Sequence, residues 1–190
     1  MRTKTPRLKP LRDDELDAEQ LEVSEPFRKA GANFGVSQTL LRHPAALKAF
    51  RVWASFLMSD TNPLGPRERE ILALRTAWQI KSGYEWSRHI VFGRRAGLSD
   101  EEMEGLKKPL SSRNWSAADS ALIESADALV DDFFVPDNVW AKLTKHFNEK
   151  QCMDAIFVVG HFVLLGMFLN TAGVQIDPDV KLDPNLDMTR

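Results

Sequence analysis

The chain reads PREREILALRTAWQIKSGYEWSRH from Pro66 to His89, and this stretch predicts two successive helices. Proline is suited to the first turn of a helix, because that turn leaves its amide groups unbonded. Apolar residues then recur at three- and four-residue spacing, which is typical of a helix with one buried face. These residues are Ile71, Leu72, Leu74, Ala77 and Trp78. Ser82-Gly83 interrupts the pattern, and a second helix is predicted from about Tyr84 to Arg95.

Helical signals continue on both sides of this stretch. Further helices are predicted to begin near Pro44, Ser99, Ser116 and Pro136, and the last one is an apolar helix that ends near Asn170. No run of alternating apolar and polar residues with bounding turns indicates a strand. The sequence therefore predicts an all-α fold with about six to eight helices.

Three regions follow from composition along the chain. Residues 1–30 carry prolines and charges with little apolar periodicity, and we expect an arm with one short helical piece around Asp14 to Val23. Residues 31–177 form the predicted helical domain, and residues 178–190 form a tail. A chain of 190 residues is the right size for one domain with one core.

Charge and cysteine content exclude several classes of protein. The net charge of −2 gives no broad basic field for nucleic acid or an anionic membrane. The longest apolar run, Ala155 to Leu169, is shorter than the roughly 20 residues that a membrane span needs. Cys152 is the single cysteine, so no intrachain disulfide forms. We expect a cytoplasmic protein with a small-molecule substrate and neither a nucleic-acid nor a membrane partner.

The pair Glu85 and His89 is the clearest candidate site. Residues four apart share a helix face, and a carboxylate beside an imidazole is suited to proton transfer near neutral pH. A structural interpretation competes with this one, because Ser82 followed by Glu85 is also the pattern of a capping box at a helix start. Spacing alone leaves both interpretations open.

Several segments together resemble the carboxymuconolactone decarboxylase family, whose superfamily includes the alkyl hydroperoxidase D proteins. They are Pro66 to Arg75, Tyr84 to His89, Ala96 to Glu102, and the closing stretches Gly160 to Asn170 and Gly173-Val174. The resemblance covers roughly residues 33–177 and implies an alkyl hydroperoxidase D-like helical bundle that assembles as a homo-oligomer, as a trimer, hexamer or dimer. The apolar closing helix agrees, since one small domain does not easily bury all of its faces.

The resemblance also implies a site. In the hydroperoxidase branch a glutamate, a CxxC pair and a histidine form it, and these positions fall on Glu70, on Ser82 and Glu85, and on His89. Serine and glutamate cannot form a disulfide or reduce peroxide, which requires a thiolate. The peroxidase activity is therefore not carried over, and what remains is a set of proton-transfer groups.

We therefore predict a cofactor-independent acid–base enzyme, a decarboxylase, isomerase or lyase that acts on a small organic acid, lactone or related carbonyl compound. The predicted catalytic residues are His89, Glu85 and Glu70, and the predicted substrate-binding residues are Tyr84, Trp86, Ser82 and His161. His161 has an alternative interpretation as a hydrogen-bonded core residue. No metal ligands are predicted, because no HExxH pair is present. A non-catalytic ligand-binding or scaffold protein is the alternative, and peroxide reduction through Cys152 is a third hypothesis.

Overall fold

A computed structural model describes residues 1–189, which form nine α-helices, three short 3-10 turns and no strand. Two of the helices have only six residues, which leaves seven longer ones, so the predicted all-α fold is confirmed. The helices are α1 (Ala18–Lys29), α2 (Gly35–Leu40), α3 (Pro44–Met58), α4 (Pro66–Gln79), α5 (Gly83–Arg95), α6 (Asp100–Gly105), α7 (Ala117–Asp132), α8 (Asp137–His146) and α9 (Glu149–Ala172).

Local signals set most helix ends where the sequence places them. The Ser99 hydroxyl accepts a hydrogen bond from the amide of Glu102, whose carboxylate accepts one from the Ser99 amide, so the predicted capping box begins α6. Gly97 and Gly173 follow α5 and α9 with φ of 90° and 71°, a conformation that costs glycine little. The turns that separate the helices are therefore encoded locally.

The first 40 residues differ from the prediction. The helix expected around Asp14 to Val23 is instead α1, which starts after the Asp17 cap and continues past Pro26 to Lys29. Val23 packs with Leu41 and Leu47 in a small cluster, and this burial stabilises the helix despite the hydrogen bond that proline removes. Helix α2 was not predicted at all. The division of the chain at residues 30 and 177 stays a prediction.

Helix α4 lies at the centre of the protein and packs against α5, α7 and α9. Every residue from Arg69 to Ala77 is buried, so the polar side chains of this helix must find partners inside the protein. The Arg75 guanidinium, for example, donates to the carboxylate of Asp127 and to the carbonyl oxygens of Leu106 and Lys108. Glu70 is held in the same interior.

Helix α9 is longer than the apolar run in the sequence suggests. It has 24 residues and is long and apolar enough to cross a membrane by length and composition alone. In its most apolar window 56% of the residues are buried inside the protein, and the core helix of a soluble domain passes the same test, so this is weak evidence for a span. Exposed apolar side chains remain on its outer face, at Met153, Ile156, Leu164 and Met167.

Candidate functional site

The imidazole of His89 lies between two carboxylates. Its Nδ1 atom is 2.8 Å from Oε2 of Glu70 on the neighbouring helix α4. Its Nε2 atom is 3.5 Å from Oε2 of Glu85, one turn earlier on α5. The structure therefore brings together the three predicted catalytic residues, and Glu70 makes the shorter contact.

Burial controls the protonation of this group of three. Glu70 and Glu85 are each 3% exposed, and His89 is 7% exposed. Burial raises the pKa of Glu85 to about 7, although the charge of His89 works in the opposite direction. Burial alone lowers the pKa of His89, but the charge and hydrogen bond of Glu70 outweigh it, and that pKa is raised above its ordinary value. The pKa values of Glu85 and His89 are therefore both raised, which favours retention of a proton on each group towards neutral pH.

A cavity of about 540 Å³ opens beside the pair, and both Glu70 and His89 line it. The other lining residues are mostly apolar or cationic: Met58, Asp60, Pro66, Arg69, Phe92, Arg95, Ala96, His161, Phe162 and Leu165. Glu85 does not line the cavity, so it lies behind His89. The volume is within the range of small-molecule sites.

His161 reaches the same cavity from α9. Its ring stacks on that of Phe50, with 5.0 Å between centroids, and its Nδ1 atom is buried without a hydrogen-bond partner. Burial, and then the charge of His89, lower the pKa of His161 to about 4. His161 is therefore neutral at neutral pH, whereas its neighbour on α5 has a raised pKa. Oppositely shifted groups on one cavity are typical of acid–base sites.

The capping-box interpretation of Ser82 and Glu85 is wrong. Ser82 occupies the position before α5, but its side chain makes no capping hydrogen bond, and its hydroxyl is buried without a partner. The Glu85 carboxylate faces His89, and its Oε1 atom also lacks a partner. These buried polar groups give the start of α5 no stabilising cap.

The other predicted substrate-binding residues on α5 lie outside the cavity. The Tyr84 hydroxyl donates to Asp177 and accepts from the Val36 amide. Trp86 packs edge-to-face on Trp78, with 5.2 Å between ring centroids. Residues one apart on a helix point in different directions, which explains why these two do not join Glu85 and His89. Of the four predicted substrate-binding residues, only His161 lines the cavity.

Two arginines at the cavity were missed by the sequence reasoning. The Arg69 guanidinium donates to the carbonyl oxygens of Ser59 and Leu64 and holds the loop before α4. Arg95 is exposed at the cavity and makes no ion pair within residues 1–189. His89, Phe92 and Arg95 recur at three-residue spacing on α5, and this spacing could have predicted that Arg95 lies on the same side of the helix as His89.

Metal and thiol chemistry find little support in the described chain. Across residues 1–189, no group of three or more His, Cys, Asp and Glu side chains is arranged to hold a metal ion. Cys152 is buried, and burial raises the pKa of its thiol. A reactive cysteine needs a lowered pKa, so peroxide reduction through Cys152 is disfavoured.

Comparison with known proteins bears on the fold and the family resemblance of the chain. Residues 44–126 match the model of the Carboxymuconolactone decarboxylase family, whereas none of the curated proteins matches the chain. Similar solved structures include an uncharacterized peroxidase-related protein from Ralstonia eutropha JMP134, described as an alkylhydroperoxidase AhpD core. Its TM-score is 0.79 at 19% identity, over 92% of this chain and 93% of that one.

Two further solved structures have the same fold. An uncharacterized peroxidase-related protein from Silicibacter sp. TM1040 has a TM-score of 0.78 at 19% identity, over 93% of this chain and 96% of that one. A variant of the debrominase Bmp8, in complex with 2,3,4-tribromopyrrole, has a TM-score of 0.75 at 15% identity, over 93% and 94%. Identities this low show the fold alone. The chain thus has an AhpD-like helical fold, and its region 44–126, which carries Glu70, Glu85 and His89, matches the family model of the carboxymuconolactone decarboxylases.

Proposed function

We propose that this protein is a cofactor-independent acid–base enzyme. Its substrate is a small organic acid, lactone or related carbonyl compound, and its reaction is a decarboxylation, isomerisation or elimination. The observation that carries the proposal is the buried Glu70–His89 pair on the wall of a cavity of about 540 Å³. A hydrogen-bonded imidazole and carboxylate that are both buried at a cavity can exchange a proton with a bound molecule.

Each of the three groups has a role in this proposal. Glu70 contacts His89 and also lines the cavity. In the proposed reaction a proton passes between the imidazole and the substrate, either by way of the Glu70 carboxylate or directly next to it. Glu85, with a pKa near 7, lies behind the ring and takes up or returns the second proton. In an isomerisation the base removes a proton next to the carbonyl group, and the conjugate acid returns it to another carbon.

Two further residues support a ligand with a carbonyl or carboxylate group. The neutral imidazole of His161 has an unpartnered nitrogen and can hydrogen-bond to a carbonyl oxygen or to a hydroxyl group. Arg95 is a cation at the same cavity, where it would meet a carboxylate. The solved debrominase complex contains a small ring compound, which supports a ligand of similar size in this fold.

The experiment is a screen of lactones and unsaturated or keto acids in deuterated buffer, with NMR detection of turnover and of deuterium incorporation. We expect His89→Gln and Glu70→Gln to lower the rate by about 10²–10⁴-fold. Glu68→Gln removes a carboxylate of the same helix that does not line the cavity, and it should keep the wild-type rate.

His161→Phe provides a second comparison. The new ring keeps the stack on Phe50 but removes the unpartnered nitrogen, so we expect weaker ligand binding without loss of stability. Ligands that bind and are never converted would instead favour a non-catalytic binding protein. Full turnover in His89→Gln would remove the imidazole from the mechanism.

A further inference from the structure

A second hollow lies beside the cavity, between α1, α2 and α3. This apolar groove has a volume of about 340 Å³, and apolar side chains form nearly all of its walls. They include Phe27, Phe34, Val36, Leu40, Leu47 and Phe50. The groove contains none of the residues predicted to carry chemistry.

The groove and the cavity adjoin each other, and three side chains form the wall between them. Met58 lines both hollows. Phe50 lines the groove and stacks on His161, which lines the cavity. Methionine has three rotatable bonds and adapts its shape readily, so Met58 can turn aside for a chain that crosses the wall.

The two hollows divide polar and apolar surface between them. Ionisable groups gather on the cavity side, at Glu70, His89, His161 and Arg95. On the groove side Arg51 is the one residue with a charged side chain, and its guanidinium lies 6.0 Å from the centroid of the Phe27 ring. A molecule that spans both hollows must therefore have a polar head and a hydrocarbon tail.

We propose that the groove binds the hydrocarbon tail of an amphipathic carboxylic acid or lactone whose polar head lies at Glu70 and His89. The position of the polar head rests on the proposed function. The binding of the hydrocarbon tail in the groove does not depend on that function. Each methylene group buried there strengthens binding by roughly threefold to fourfold. Affinity should therefore rise with chain length.

The experiment measures binding of butyrate, hexanoate and octanoate to the full chain by calorimetry. We expect octanoate to bind at least about tenfold more tightly than butyrate, since four further methylene groups are partly buried. Ala54→Phe places a ring in the groove and should remove this gain while leaving butyrate binding unchanged. Ala49→Phe is the matched control, because Ala49 is exposed on the same helix and does not line the groove.

Ser55→Phe fills the groove from its exposed rim and replaces Ala54→Phe if that variant does not fold. Equal affinity for butyrate and octanoate in the wild-type protein, or no binding of either, overturns the groove proposal. So does an unchanged chain-length effect in the filled variant. If affinity depends on chain length but the protein converts no compound, the groove proposal holds and the proposed enzymatic function is contradicted.

Discussion

Oε2 of Glu70 lies 2.8 Å from Nδ1 of His89, although the two residues are 19 positions apart and belong to different helices. Both side chains are almost fully buried. In such surroundings the two groups are linked more strongly than an exposed ion pair, because little water screens them. The protonation of His89 therefore depends on Glu70.

Glu70→Gln should lower the pKa of His89. The substitution keeps the shape of the side chain but removes the charge and the charge-assisted hydrogen bond that raise this pKa, so burial is left to dominate. NMR titration of the His89 ring protons measures the change directly. A His89 pKa that stays the same in the variant would contradict this account, and Glu68→Gln should leave it unaltered.

Stability should depend on pH through Glu85. Its carboxyl group has a pKa of about 7 in the folded protein and an ordinary value of 4.5. Between these values the unfolded chain releases the proton and the folded chain retains it, so the folded state loses stability as pH rises from about 4.5 to 7. The loss is at most about 3 kcal/mol.

Glu85→Gln tests this expectation, because glutamine does not ionise. Urea unfolding of the variant and the wild-type protein at pH 5, 6, 7 and 8 gives the difference in their free energies of unfolding. We expect the free energy of unfolding of the variant to rise relative to that of the wild-type protein as pH rises. A difference that stays constant over this range would rule out the buried carboxyl as the cause.

The sequence predicted the helices that carry this site better than it predicted the side chains that line the cavity. Helices α4 and α5 follow from Pro66, from the apolar spacing and from Ser82-Gly83, all of which act locally. Spacing also predicted that Glu85 and His89 share a helix face. Nothing local says that Glu70 makes the shorter contact, since that depends on how two helices pack.

The dependence on helix packing also explains why two predicted substrate-binding residues were wrong and why the apolar groove was not predicted. Tyr84 and Trp86 flank Glu85 in the sequence, but the helix turns them towards Asp177 and Trp78 instead of the cavity. The apolar groove is formed by α1, α2 and α3, and α2 has only six residues with a weak pattern. Tertiary packing thus decides which side chains meet a ligand.

Arg88 should be worth far more to stability than Arg94 on the same helix. The Arg88 guanidinium is buried and donates to Asp177 and Asp179 at 2.6–2.8 Å, which fixes the segment after α9. Arg88→Gln leaves the buried carboxylate of Asp177 without its cationic partner, although Tyr84 still donates to it, and we expect a loss of about 3 kcal/mol. Arg94 pairs with Asp100 in solvent, so Arg94→Gln should cost less than about 1 kcal/mol.

Urea unfolding of the two variants at one pH makes the comparison. Similar free energies of unfolding for Arg88→Gln and Arg94→Gln would show that the buried pair does not hold the segment.

An apolar face on α3 and α9 predicts self-association. Trp53 lies 5.7 Å from Phe56 and 5.4 Å from Phe157 between ring centroids, and Met153 lines the same hollow as Phe56 and Phe157. Phe56 and Met153 are each 48% exposed, and a cluster of exposed apolar side chains of this kind is typical of an interface.

We expect a sedimentation mass above the 21.5 kDa of one chain at micromolar concentration. Phe56→Glu should lower that mass, because burying a carboxylate against a second apolar surface is costly. Phe134→Glu is the control, since Phe134 is also exposed but lies in the loop after α7. A wild-type protein that sediments as a monomer would contradict the prediction. A mass lowered equally by both variants would show that the loss comes from added charge in general and not from this face.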